Sequence, residues 1–208
     1  MKILIIGATG PTGRELVSQA LAVGHKVTAA VRRPESASLP LGTKIVRADV
    51  TDAASLAEAV QGNEAVISSL GSKLSRKPTT LFSQGTRNLL AAMQLAAVRR
   101  LLCITGIGAG DSLGHGGFLY DFLIQPLLLS EIYKDKTRQE EIVRQSGIDW
   151  TIVRPGTLTN GPKTNHFAAL TDLTGITVGK ISRADVAAFI LYRLEDKDAF
   201  GQTFTLTY

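Results

Sequence analysis

Strand-like runs alternate with helix-like runs along almost the whole chain. The strand-like runs are rich in Ile, Val and Leu and span six to eight residues, which favours buried strands. Between them, apolar residues recur at helical spacing, as at Leu89, Met93 and Ala97. The predicted strands cover residues 2–7, 26–32, 43–48, 64–70, 100–105, 150–155 and 201–208, and the predicted helices cover residues 12–23, 52–61, 79–97, 132–146 and 183–194.

Alternation of strands and helices at this spacing is typical of a parallel sheet with helices on both faces. The sequence therefore predicts an α/β fold, a doubly wound Rossmann-like sheet in a single domain that spans residues 1–208. Two long segments with little periodicity, 106–131 and 156–181, each follow a predicted strand. Both should lie over the carboxyl ends of the strands, where open α/β sheets bind ligands.

The stretch IIGATGPTGRELV places a glycine at every third position between the first strand and the first helix. Gly7, Gly10 and Gly13 can meet three needs of a bound dinucleotide: a tight turn, close approach of the pyrophosphate, and a helix start with unpaired N–H groups. The spacing differs from the usual G-x-G-x-x-G, but the strand–turn–helix context favours cofactor binding over an incidental glycine-rich turn. The cofactor-binding residues predicted here are Gly7, Thr9, Gly10, Pro11, Thr12 and Gly13.

The end of the second predicted strand carries two basic residues, Arg32 and Arg33. A site that prefers NAD places Asp or Glu at this position to bind the ribose 2′-hydroxyl. A guanidinium instead pairs with a 2′-phosphate, so the sequence predicts NADP(H) as the cofactor. Two solvated arginines at a strand end are the alternative.

Composition is that of an ordinary soluble protein, with 44% hydrophobic and 20% charged residues among 208. The net charge of +5 suits an anionic ligand but fits solubility equally well, and no run of like charges predicts a nucleic-acid-binding arm. The lone Cys103 excludes an internal disulfide and a cysteine-rich metal cluster, and its apolar surroundings favour a buried thiol. We expect no metal site and no nucleic-acid partner.

Neither of the most apolar stretches predicts a targeting or membrane segment. ILII near the start is shorter than a signal-peptide core, and FLYDFLIQPLLL is interrupted by Asp121, Gln125 and Pro126. We therefore expect a cytoplasmic protein with no membrane partner, present as a monomer or weak homo-oligomer.

Several stretches together resemble the atypical, NmrA-like branch of the short-chain dehydrogenases. They are GATGPTG, VTAAVRR, ADVTD, SSLGS, KPTTLFSQGTRNLLAAM, SGIDWTIVRPG and ISRADVAAFIL, which are distributed over nearly the whole chain. Within that branch the chain is most similar to the NADPH-dependent flavin reductase/biliverdin-IXβ reductase family. The resemblance implies a Rossmann fold and an NADPH-dependent reductase activity.

The resemblance also implies where each part of the cofactor lies. It places adenine near Asp49 and Val50, and nicotinamide beneath Thr105 and the turn at residues 155–157. Lys73 matches a basic residue near the 2′-phosphate, although a solvated loop lysine is an equally good interpretation. The cofactor-binding residues implied in this way are Asp49, Val50, Leu70, Gly71, Ser72, Lys73, Thr105, Pro155, Gly156 and Thr157.

The chain departs from the family pattern where a proton donor is usual. The family's serine after the fifth strand is Gly106 here, beside Thr105. Short-chain dehydrogenases use Tyr-x-x-x-Lys to lower the pKa of the tyrosine, but Ile132 stands four residues before Lys136, and Tyr133 stands only three before it. Tyr133 is therefore better interpreted as a packing or rim residue than as the acid. By resemblance, Thr105 and Lys136 are the candidate catalytic residues, with a surface role as the alternative for Lys136.

Without that tyrosine, the simplest chemistry is direct hydride transfer to a flat conjugated acceptor, a flavin or a biliverdin-type linear tetrapyrrole. The aromatic residues Phe118, Tyr120 and Phe122 could form a wall of the acceptor site, although each can equally pack in the core. The predicted acceptor-binding residues are Gly106, Ile107, Lys136, His166 and Phe167.

Two other functions are alternatives to the reductase. A G-x-S-x-G string occurs at residues 110–114, but it does not lie directly between a strand and a helix, so a serine hydrolase is disfavoured. A non-catalytic NADP(H)-binding redox sensor or assembly factor of the NmrA-like type stays open. Such a protein would carry the same glycines and arginines.

Overall fold

The computed structural model describes all 208 residues. The strands are β1 (Lys2–Ile6), β2 (Lys26–Val31), β3 (Lys44–Arg47), β4 (Ala65–Ser68), β5 (Arg100–Ile104), β6 (Asp149–Pro155), β7 (Thr157–Thr159), β8 (Ala168–Leu170), β9 (Lys180–Ser182) and β10 (Gln202–Thr207). The helices are α1 (Pro11–Ala22), α2 (Ala53–Val60), α3 (Leu81–Leu95), α4 (Ser130–Arg144) and α5 (Arg183–Tyr192). A π-helical segment, Tyr120–Leu129, leads directly into α4.

The main sheet confirms the predicted fold class. Its strand order is β3-β2-β1-β4-β5-β6-β10-β8, and all neighbours are parallel except β8, which is antiparallel to β10. The chain order reverses between β1 and β4, which leaves a crevice at the carboxyl ends of these two strands. Ligands of open α/β sheets bind at such a reversal.

Helices cover both faces of the sheet, each over its own apolar core. On one face, Ile3 and Ile5 of β1 pack in a cluster with residues of α1 and α5. On the other face, Leu4 and Ile6 pack in a cluster with residues of α2, α3 and α4. Each fully buried Leu or Ile stabilises the fold by about 1.5–3 kcal/mol, so the alternation along β1 holds both layers against one rigid sheet.

The two weakly periodic segments contain more structure than the sequence predicted. Residues 106–131 include a short 3-10 turn, Gly110–Ser112, and the π-helical segment. Residues 156–181 contain β7, β8 and most of β9, and β7 pairs with β9 in a small second sheet. Strands of three residues are too short to show periodicity. No helix is both long and apolar enough to span a membrane.

Candidate active site at the carboxyl end of the sheet

Packing within the protein explains two of the three glycines after β1. Gly7 has a φ of +77°, and a Cβ at this position would lie 2.2 Å from the Ser69 carbonyl oxygen. A Cβ on Gly13 would lie 2.1 Å from the Gly7 carbonyl oxygen. These two glycines therefore allow β1, the start of α1 and the segment after β4 to approach closely.

Gly10 is much less constrained by the protein itself. It is the N-cap residue of α1, and a Cβ there would meet only the Gly7 carbonyl oxygen, at 3.3 Å. The first bond of the helix runs from the Arg14 N–H to the Gly10 carbonyl, so the N–H groups of Thr12 and Gly13 precede the helical ladder. No side chain caps them. Open backbone beside unpaired donors fits a pyrophosphate group.

Arg32 and Arg33 are exposed directly after β2, and neither guanidinium forms an ion pair or hydrogen bond within the protein. Asp49, after β3, lies near Arg32. The pKa of the Asp49 carboxyl lies below its usual value because the backbone N–H of Thr51 donates to it, with further contributions from the Thr51 hydroxyl and from Arg32. Two unpaired cations thus stand beside the region where adenine and ribose are expected.

The segment after β4 forms an open edge of the crevice. Gly71, Ser72 and Lys73 are exposed, and a Cβ on Gly71 would have nothing within 4 Å. Leu70 is half-buried and packs against the core that includes Val50. The backbone from Leu70 to Lys73 can therefore be approached by a ligand.

Thr105 lies buried directly after β5, and both its hydroxyl and its carbonyl oxygen are already bonded. Its hydroxyl donates to Glu140 Oε1 at 2.6 Å, and its carbonyl oxygen accepts from the ammonium of Lys136. Burial lowers the pKa of Lys136 to about 8. Glu140 is in turn paired with Arg154, at 2.9 Å from Nε and 2.6 Å from Nη2. This network fixes Thr105 and leaves its hydroxyl hydrogen committed to Glu140.

Tyr133 fills the space above Gly106. Gly106 has a φ of +150°, and a Cβ on it would lie 2.8 Å from the Tyr133 hydroxyl oxygen. Burial raises the pKa of Tyr133, while contact with Tyr120 lowers it by a smaller amount. The Lys136 ammonium lies 5.5 Å from the Tyr133 ring centre and bonds to the Thr105 carbonyl instead. The pair therefore lacks the geometry that makes a tyrosine acidic.

A cavity of about 280 Å³ brings several of the predicted residues together. It lies between the segment after β4 and the first turns of α4. Its lining residues are Gly71, Ser72, Leu74, Phe82, Leu129, Ile132, Tyr133 and Lys136. The cavity thus joins the expected path of the cofactor to Lys136.

The turn after β6 packs closely against the following chain. A Cβ on Gly156 would lie 2.5 Å from the Gly179 carbonyl oxygen, and the Thr157 N–H donates to the same oxygen. The Ile107 N–H donates to the Pro155 carbonyl, which ties the loop after β5 to this turn. The turn is therefore held rigidly beside Thr105, whose N–H bonds to the Val153 carbonyl.

His166 and Phe167 lie apart from the cavity at Lys136. Phe167 packs edge-on against Phe189 of α5, with ring centres 6.1 Å apart, and His166 is exposed. Both belong to the loop that precedes β8. We therefore expect the acceptor to contact neither residue.

Sequence reasoning missed three buried charged residues that organise the site. Asp135 accepts hydrogen bonds from the Phe82 N–H at 2.8 Å and the Ser83 hydroxyl at 2.5 Å, so α4 caps the start of α3. Glu140 and Arg154 form the buried pair behind Thr105. Asp135 and Glu140 lie on the buried side of α4. Charged residues are rarely buried unless they are paired, so their inward positions in the helical pattern were the signal that could have identified them.

A family model described as NAD(P)H-binding matches residues 7–197. YhfK of Bacillus subtilis (strain 168), named an uncharacterized sugar epimerase, is 31% identical over 214 residues, which cover 100% of this chain and 94% of that protein. The photosystem II assembly factor Ycf39 of Cyanophora paradoxa is 24% identical over 221 residues, covering 99% of this chain and 63% of that protein.

A solved structure supports the fold. ChuY, described as an anaerobilin reductase from Escherichia coli O157:H7, has a TM-score of 0.85 and 24% identity, with 100% of this chain and 97% of that chain covered. At this identity the likeness extends to the architecture, and the chemistry has to be argued from the residues themselves.

Proposed function

The chain belongs to the NAD(P)H-binding family, and on that premise we propose that it is an NADPH-dependent reductase of a flat conjugated acceptor, a flavin or a biliverdin-type linear tetrapyrrole. NADPH, when bound, supplies the hydride. The observation that carries the proposal is the cavity at Lys136, which adjoins Gly71 and Ser72 and so opens onto the expected cofactor path. An acceptor ring in this cavity would lie beside the nicotinamide that is expected near Thr105 and Gly156.

The residues at the crevice support a phosphorylated dinucleotide. The N–H groups of Thr12 and Gly13 are free to donate to the pyrophosphate, and nothing but backbone stands at Gly10. Arg32 and Arg33 have no partner within the protein and can pair with a 2′-phosphate. This supports NADPH over NADH.

The hydrogen bonds around Thr105 support direct hydride transfer. The Thr105 hydroxyl hydrogen is directed to Glu140, and the pKa of Tyr133 is raised, so neither side chain is set to give a proton. A flavin N5 or a bilin methine carbon accepts hydride without forming an isolated alkoxide, so water can supply the proton. The chain then has to orient the acceptor and hold it close to the nicotinamide, and we assign this role to Lys136 and the cavity walls.

The surroundings of the cavity favour an acceptor with an apolar face and acidic groups. Leu129, the last residue of the π-helical segment, lines the cavity, and this segment and the residues before it expose large apolar side chains, including Phe118 at 77% and Phe122 at 67%, with ring centres 5.0 Å apart. Large exposed apolar groups of this kind mark binding surfaces. In the segment that follows Gly71 and Ser72, Lys73, Arg76 and Lys77 are exposed and can attract propionate or phosphate groups.

The proposal is tested by following NADPH absorbance with FMN, riboflavin and biliverdin added in turn. We expect consumption with at least one acceptor, weakened by salt because exposed charges are screened. Tyr133→Phe should keep most of the turnover, whereas a loss of about a hundredfold would restore a tyrosine mechanism. Protein that binds NADPH but reduces none of these acceptors would refute the reductase.

A second candidate is a non-catalytic NADP(H)-binding protein, such as a redox sensor or assembly factor. The relative Ycf39 is named an assembly factor, and the Thr105 hydroxyl hydrogen is directed to Glu140. For this function we expect NADPH to bind, as measured by fluorescence, and none of it to be consumed when any acceptor in the panel is added. The same assay therefore decides between the two candidates.

A further inference from the structure

A second cavity, of about 630 Å³, lies on the face of the main sheet beyond α4. Strands β6 and β10 form its floor, and the loop after β5, the end of α4 and the turn at residues 171–174 form its walls. The side chains that matter here are Asp111, Arg144, Trp150, Arg154, Asp172 and Thr205. None of them lines the cavity at Lys136.

The part of the floor that β10 forms is polar. Along β10, Phe204 and Leu206 belong to the core under α5, whereas Thr203 and Thr205 line the cavity on the other face. The alternation of a strand thus exposes a threonine surface where a core would otherwise form. The floor of the cavity is therefore formed by strands of the main sheet.

Two buried groups in this cavity have donors that the protein does not use. Arg154 is 3% exposed, and its bonds to Glu140 and Asp111 use Nε and Nη2, which leaves Nη1 free. Thr205 is 2% exposed, and its hydroxyl forms no hydrogen bond within the protein. Because the protein uses neither donor, both are available to a polar ligand in the cavity.

The charges around the cavity favour a neutral ligand over an anion. Arg144 and Arg154 are balanced by Asp111 and Asp172, and Glu140 beneath the floor adds a further negative charge. Asp111 is 85% exposed, so its second carboxylate oxygen can accept a hydrogen bond. The cavity therefore offers donors and acceptors together without a net positive charge.

A ligand that matches this mixture carries many hydroxyl groups, each of which can donate and accept. Trp150 adds a half-buried aromatic surface at the floor, suited to the apolar C–H face of a ring. We propose that this cavity is a second binding site, which takes a neutral polyhydroxylated ligand such as a monosaccharide. Its hydroxyl groups would pair with Arg154, Thr205 and Asp111.

The test uses Trp150, which is the only tryptophan in the chain and therefore reports on this cavity. Protein without NADPH is titrated with glucose, ribose and sorbitol while tryptophan fluorescence is recorded, and binding is confirmed by calorimetry. We expect a saturable change with at least one of them. Thr205→Val should weaken that binding by about tenfold, because the variant loses only the hydroxyl. The matched control is Thr28→Val, a buried threonine on β2 outside the cavity, and it should leave the affinity unchanged.

Three outcomes would overturn the proposal. One is no saturable binding of any of the three polyols, and another is equal affinity in Thr205→Val and the unaltered protein. The third is that inorganic phosphate, tested in parallel, binds in place of the polyols. Because NADPH and acceptors are absent from this experiment, its failure would leave the reductase proposal untouched.

Discussion

The contact between Gly106 and Tyr133 explains the most conspicuous departure from the family pattern and can be tested by a double-mutant cycle. An alanine Cβ at position 106 would lie 2.8 Å from the Tyr133 hydroxyl oxygen but 3.6 Å from the nearest ring carbons. The φ of +150° adds strain whatever stands at position 133. This strain should lower the free energy of unfolding by about 1–3 kcal/mol, with either Tyr or Phe at position 133. The overlap with the Tyr133 hydroxyl should lower it by at least ~1 kcal/mol more.

Removing the hydroxyl should therefore relieve part of the cost of a side chain at position 106. We expect Gly106→Ala to destabilise the Tyr133→Phe protein by about 1 kcal/mol less than it destabilises the unaltered protein. The measurement is denaturant unfolding at equal m-values, followed by the fluorescence of Trp150. Gly71→Ala is the control, because a Cβ there meets nothing within 4 Å. If Gly106→Ala lowers the free energy of unfolding by the same amount, within ~0.3 kcal/mol, with Tyr or Phe at position 133, the proposed contact with the hydroxyl is refuted.

Three further predictions follow from the site. Arg32→Ala should weaken the binding of NADPH by roughly ten- to a hundredfold and the binding of NADH much less, as measured by fluorescence titration. An equal loss of affinity for both cofactors would reject a 2′-phosphate contact. Lys136 is charged below its pKa of about 8 and neutral above it, so KM for an anionic acceptor should rise as the pH passes through that value. The rise should be absent in Lys136→Met, and a rise of the same size in the variant would assign it to another group. Asp135→Ala should cost about 1–3 kcal/mol of unfolding free energy, because the Phe82 N–H and the Ser83 hydroxyl lose their buried partner. Asp52→Ala removes a more exposed cap from α2 and should cost less in the same denaturation assay.

The fold could be predicted from the sequence because its main signals are local. Each run of Ile, Val and Leu predicts a strand, and the helical stripe through Leu89 and Met93 predicts a helix. The alternation of strands and helices then predicts a parallel sheet. Antiparallel β8 was missed because its three residues carry no period, and its place depends on pairing with β10. The π-helical segment was missed because its apolar residues follow neither the helical nor the strand period and none of them is buried.

The candidate site was predictable where backbone geometry limits the residue type, and less so where distant side chains meet. Gly7 and Gly13 lie in a strand–turn–helix motif that local sequence reveals, although the closest approach at Gly7 is to the distant Ser69. The place of Gly106 is explained only by Tyr133, which lies 27 residues later, so position 106 alone could not show why the serine is missing. Glu140 likewise acts on Thr105 across 35 residues, and no motif records the pair.

The measurement that tests the central claim most directly is a single turnover with deuterated NADPH. Excess protein is mixed with biliverdin or FMN and NADPH deuterated on the transferred face, and nicotinamide absorbance is followed in time. The account predicts oxidation with a primary isotope effect, because hydride passes directly to an acceptor held in the cavity at Lys136. NADPH that binds, as shown by its fluorescence, yet stays reduced with every acceptor would contradict the account and favour the non-catalytic NADP(H)-binding function.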